Sequence, residues 1–172
     1  MSGSRRMHRI AAGGILAAIL VSTATAVGSA AGQAGRSLVV IKQHGSGKMS
    51  ADHTLKGHFT MLVDGVIQDS GTTIITPNLG NPTKIDGQQQ APVVGYDNLK
   101  TKKGSLTLVF RGVSVPIANI NPAKDFLEIE YGTWKVQSGT GAYAGWKGGG
   151  RWADHVESDG EDNTEWDGYI TH

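Results

Sequence analysis

Beyond residue 36 the chain alternates apolar and polar residues with a period of two, interrupted by glycines, and this pattern constrains the fold more than any other feature. From Leu55 to Val63, Leu55, Gly57, Phe59, Met61 and Val63 share one face, with Lys56, His58, Thr60 and Leu62 on the other. A period of two places successive side chains on opposite faces of a strand, and no stretch of comparable length repeats at the helical period. Asp64-Gly65 follows at once. Both residues tolerate positive φ, so this dipeptide predicts a two-residue hairpin turn.

Eight strands are expected on this basis. Ser37 to Gln43, Leu55 to Val63 and Val66 to Thr76 form the first three. After a loop from Pro77 to about Ala91 come Pro92 to Leu99, the basic turn Lys100 to Gly104, and Ser105 to Val113 with Leu106, Leu108 and Phe110 on one face. A loop containing Pro116 and Pro122 leads to Phe126 to Ser138. There Leu127, Ile129 and Tyr131 read as the inner face, so Glu128 and Glu130 are expected to face solvent. Trp134 and Val136 fall in the opposite register, and a bulge at Gly132 would reconcile the two halves. Trp146 to His155 places Trp146, Gly148, Gly150 and Trp152 together, and Glu165 to Thr171 turns Trp166 and Ile170 inward. An all-β meander of eight antiparallel strands fits a closed barrel whose interior is filled or holds one small ligand; a two-sheet sandwich is the alternative.

The first 31 residues read as a cleaved signal peptide. Arg5, Arg6 and Arg9 precede an uncharged run from Ile10 to Val21, and small residues from Ser22 to Ala31 offer cleavage after Ala26 or Ala31. The run is shorter than the roughly 20 apolar residues of a membrane span. The Ser4-Arg5-Arg6 start is a faint twin-arginine feature. Cleavage after Ala31 removes three of the 16 Lys and Arg and none of the 15 Asp and Glu, leaving 13 bases against 15 acids, a net charge of −2. No basic stripe for nucleic acid is present. The expected organisation is a leader over residues 1–31, a segment with the first strand over 32–53, and the barrel over 54–172, in a secreted protein with no membrane span after cleavage. The chain has no cysteine, which excludes disulfide staples, thiolate chemistry and cysteine-type zinc sites.

The segment Gly132 to Gly150 contains Ser138-Gly139-Thr140-Gly141, then Tyr143, Gly145 and Gly148. This corner resembles the allene oxide cyclase barrel-like group, to which the dirigent proteins are related. The resemblance implies an eight-stranded antiparallel barrel over about residues 54 to 172. It carries over no catalytic residue, since the first strand lacks a carboxylate and the plant dirigent segments are absent. Gly139, Thr140, Gly141, Tyr143, Gly145 and Gly148 are therefore expected to form a structural corner in which the glycines allow tight backbone and the aromatic plugs the barrel end.

Two acids fall on faces that otherwise read as interior: Asp69 beside Ile67, Thr73 and Ile75, and Asp154 beside Trp146 and Trp152. Buried carboxyls of this kind have raised pKa values and serve as general acids or bases, which makes these two the catalytic candidates. Tyr131, Trp134, Trp152 and Trp166 are the candidates for an aromatic ligand wall. Seven acids crowd residues 154–167 without the spacing of a calcium loop, and the histidines show no paired metal spacing, so no metal or cofactor is expected. The pattern favours a barrel that binds a small apolar ligand or an envelope partner without chemistry. The alternatives are a cyclase or isomerase holding a lipophilic substrate, and a purely structural surface module.

Overall fold

The computed structural model describes residues 35–46, 50–116, 126–157 and 161–172. The leader lies outside these residues. The strands are β1 (Ser37–Ser46), β2 (Leu55–Val63), β3 (Val66–Leu79), β4 (Thr83–Ile85), β5 (Gln88–Lys100), β6 (Ser105–Pro116), β7 (Phe126–Gly139), β8 (Lys147–Glu157) and β9 (Glu161–Thr171). All pairings are antiparallel and run β3-β2-β1-β9-β8-β7-β6-β5, and β3 pairs with β5 to close the ring. The fold is an eight-stranded closed barrel, not a sandwich. The short β4 adds to β5 beyond the ring. The first strand is integral to the wall, lying between β2 and β9.

Turn chemistry sets the hairpins. Asp64 and Gly65 both hold positive φ, +50° and +80°, as their side chains allow. The Leu38 amide donates to the Asp64 carboxylate at 2.8 Å and ties this turn to the start of β1. Asp86 and Gly87 repeat the device at +49° and +84°. The expected irregular loop from Pro77 to Ala91 is therefore corrected. β3 runs on to Leu79, and an Asp-Gly turn joins β4 to β5.

The predicted bulge at Gly132 is also corrected. β7 pairs without a shift from Glu128 to Val136 against β6, and from Glu128 to Lys135 against β8. The extra residues are Gln137 against β6, Leu127 against β8, and Gln68 on β3 against β2. Gly132 is instead a point of close approach inside the wall. A Cβ there would lie 2.0 Å from the Arg111 carbonyl oxygen and 2.6 Å from the Gly112 Cα.

Unbroken alternation inverts the expected faces of β7. Trp134 and Val136 point inward, so Gly132, Glu130 and Glu128 do as well, while Ile129 and Tyr131 are 41% and 49% exposed on the outer surface. The barrel is filled by Val39, Ile41, Phe59, Met61, Leu99, Leu106, Leu108, Phe110, Trp134, Trp152, Trp166 and Ile170. Burial of these side chains supplies the main driving force for folding, on the order of 1.5–3 kcal/mol each. The single helical piece among the described residues is a 3₁₀ turn, Gly141–Tyr143, at the end where β7 passes to β8.

Candidate functional site

The two ends of the barrel differ chemically. At the end holding the 3₁₀ turn, Tyr143 is fully buried and donates to Asp69 at 2.5 Å, and its ring meets Trp146 edge to face at 4.9 Å. Burial and the bond to Asp69 push the Tyr143 hydroxyl up to about 12. Burial would raise Asp69, but Tyr143, the Ser70 amide, Thr101 and the nearby Lys103 outweigh it and hold the carboxyl below its usual range. Lys103 lies 3.7 Å from Asp69. Gly141 sits at φ +59°, and Thr140 exchanges hydrogen bonds with Ser105 through both backbone and side chain. Tyr143, Asp69, Thr101, Lys103, Ser105 and Thr140 are all engaged by other parts of the chain. Asp69 faces the plug without Ile67, which the extra residue Gln68 turns to the outside, 68% exposed.

The opposite end opens into a cavity between Leu55, Ile75, Pro77 and Leu79 on one side and Phe110, Trp152, Trp166 and Val156 on the other, with Thr164 and four carboxyls, Glu128, Glu130, Asp154 and Asp162. Its space for water-sized molecules is about 80 Å³, several times the roughly 10–15 Å³ one water needs. Beyond this space the cleft opens directly to solvent. Trp152 and Trp166 stack with centroids 5.6 Å apart, and Phe110 sets its edge against them at 5.2 and 5.6 Å. These three rings form the floor.

Register explains why the acids converge. Ser114, Glu130, Asp154, Thr164 and Gln43 pair in turn across β6, β7, β8, β9 and β1, which makes one polar row around the inner wall. The adjoining row is Gly112, Gly132, Trp152, Trp166 and Ile41; its two glycines let the β6 and β7 backbones come close. Few donors meet the acids. Ser114 donates to Glu128 at 2.7 Å, and the Thr164 hydroxyl lies 3.2 Å from Asp154 and 3.3 Å from Asp162. Burial, then the hydrogen bond and charge of Asp162, then the charge of Glu130, hold Asp154 well above the carboxylate range. A hydrogen bond between two carboxyls requires a proton between them. Burial and the charges of Glu128 and Asp162, partly offset by the neighbouring Ser114 hydroxyl, push Glu130 up to about 7.

Deeper in the barrel, Asp97 is wholly buried and accepts hydrogen bonds from Thr73 and Gln43. Burial pushes it to about 7, against the lowering effect of those two donors.

Of the residues singled out in the sequence, Asp154, Trp152 and Trp166 come together at the cavity. Trp134 lies inside but below it, its indole N–H donating to the Arg151 and Asp167 carbonyls. Tyr131 is on the outer surface and lines no part of the cavity, and Asp69 belongs to the plugged end. Glu128, Glu130, Asp162 and Asp97 were not anticipated as interior. Strict alternation back from Trp166 marks Asp162, and alternation between Val93 and Leu99 marks Asp97. Among the described residues, no three His, Asp or Glu side chains are placed to hold a metal ion, and no helix is long and apolar enough to cross a membrane. No protein-family description, curated protein or solved structure matches the chain.

Proposed function

We propose that the chain is an exported barrel that binds a small ligand with an apolar body, without chemistry, in the open-end cavity. The observation that carries this reading is the cavity floor of three packed aromatic rings beneath an open mouth. Apolar walls with a few convergent polar groups are the usual make-up of small-molecule sites. The leader pattern supports export. The corner resembling the allene oxide cyclase barrel-like group supports a barrel used as a container, with its Thr140 and Tyr143 hydroxyls engaged in structure.

A second reading, a cyclase or isomerase acting on a lipophilic substrate, draws on one feature: Asp154, held above the carboxylate range by burial and its acidic neighbours, lies on the cavity wall as a candidate general acid. Titration with the neutral fluorophore N-phenylnaphthylamine tests the binding reading. The expected result is saturable enhancement of its emission, together with quenching of tryptophan emission, both weakened at least tenfold by Trp152→Ala. Absence of saturable binding to a folded protein would leave the structural-module reading in its place.

A further inference from the structure

The cavity contains more acid than its own walls can partner, and the excess has a defined chemistry. Glu128, Glu130, Asp154 and Asp162 all line it, and among the described residues no lysine, arginine or histidine does. Among the described residues, the side-chain donors seen to reach these acids are the hydroxyls of Ser114 and Thr164, two groups for four carboxyls. A second observation is independent of charge. The indole N–H groups of Trp152 and Trp166, both on the cavity wall and 4% and 1% exposed, have no hydrogen-bond partner. Buried polar groups are normally satisfied, so these two donors are met by something outside the described residues, water or an acceptor on the body of a ligand, since an ammonium itself accepts no hydrogen bond.

From these groups we infer that the ligand is a small organic amine in its protonated form, with the ammonium among Glu130, Asp154 and Asp162 and its apolar or aromatic body against Phe110, Trp152 and Trp166. This rests on the reading of the cavity as a ligand site and specifies what enters it. An ammonium brings three N–H donors and one positive charge, the two things the acidic row lacks. The faces of the stacked indoles attract a cation more than a neutral group of the same shape. A neutral ligand of the same body would bury the carboxyls further without partnering them, so it binds more weakly than the amine. An anion would add to the repulsion.

Binding has a second consequence. Glu130 and Asp154 hold protons near neutral pH because burial and the neighbouring acids disfavour their charged forms. A cation placed among them reverses that preference, so its entry releases protons to solvent.

The experiment compares 2-phenylethylammonium, 2-phenylethanol and phenylacetate, which share a body and differ in charge, by titration calorimetry at pH 7 in two buffers of different ionisation enthalpy. The amine is expected to bind roughly tenfold or more tightly than the alcohol, with phenylacetate weakest, and to release protons that the alcohol does not. The double variant Glu130→Gln, Asp154→Asn should bind amine and alcohol with similar affinity. Equal or tighter binding of the alcohol or phenylacetate to the unaltered protein overturns the amine assignment. So does binding of N-phenylnaphthylamine with none of the three probes, and in both cases the cavity reading stands. Failure of all four probes to bind overturns the cavity reading itself.

Discussion

Glu130 on β7 and Asp154 on β8 stand directly opposite each other in the ladder, with both side chains on the cavity wall. Like charges facing each other across a strand pair destabilise a sheet, and here water cannot screen them fully. These groups and Asp97 therefore keep protons in the folded state that they lose when unfolded.

The sign of the pH effect follows. Glu130 and Asp97 have folded pKa values raised to about 7, against roughly 4 for free carboxyls. Between those values the folded protein binds more protons than the unfolded chain, so stability falls as pH rises. Below about pH 4 the lowered pKa of Asp69 acts in the opposite sense. The midpoint of thermal unfolding should be highest near pH 4–5 and drop by on the order of 10 °C by pH 8. Glu130→Gln should flatten the slope. A midpoint that is level or rises from pH 5 to 8 would contradict the buried-acid arrangement.

Asp97 tests the interior bonds. Asp97→Ala removes the acceptor of Thr73 and Gln43 and leaves both donors buried, a cost of about 2–4 kcal/mol at pH 5 by urea unfolding. Asp97→Asn retains one acceptor and should cost less. Equal losses for the two variants would show that the hydrogen bonds contribute little.

At the plugged end the expected effects are on stability alone. A Cβ on Gly141 would lie 2.1 Å from the Lys103 carbonyl oxygen at a φ of +59°, so Gly141→Ala should cost at least about 1 kcal/mol. Tyr143→Ala should cost roughly 3–5 kcal/mol. Tyr143→Phe, which only strips the donor from Asp69, should cost about 1 kcal/mol. Probe affinity of the folded fraction should not change. Variants that melt like the parent but lose binding would make this corner a site.

Two aromatic residues that look alike in sequence should behave in opposite ways. Tyr131→Ala should leave probe binding unchanged and move stability by no more than about 0.5 kcal/mol, because the ring is on the outer surface. Trp152→Ala removes part of the cavity floor and should lose both binding and about 3–5 kcal/mol of stability. Trp152→Phe, tested beside it, should recover most of the stability.

Export is checked by mass. The protein recovered from outside the cytoplasm of an expressing bacterium should be shorter by 26 or 31 residues, according to cleavage after Ala26 or Ala31. A full-length product held in the membrane would overturn the leader reading.

Sequence alone determined the strand character, most of the strand positions and the Asp64-Gly65 turn. Alternation and turn chemistry are local properties, written in neighbouring residues. In β2, β6, β8 and β9 apolarity and alternation agree, so Phe59, Phe110, Trp152 and Trp166 could be placed inside without a structure. Asp86-Gly87 carried the same turn signal as Asp64-Gly65, hidden between strands rich in polar residues.

Only the tertiary structure decided which face of β7 looks inward, and with it the site. Ile129 and Tyr131 are apolar and Glu128 and Glu130 are charged, so a single strand reads with its faces reversed. The ladder to β6 and β8 is continuous, and Trp134 can be buried on one side only; the parity of the strand then carries both glutamates into the cavity. Ring closure between β3 and β5 then brings Ile75 and Leu79 opposite those acids. Convergence of this kind depends on register across strands up to about 100 residues apart, which no local pattern records.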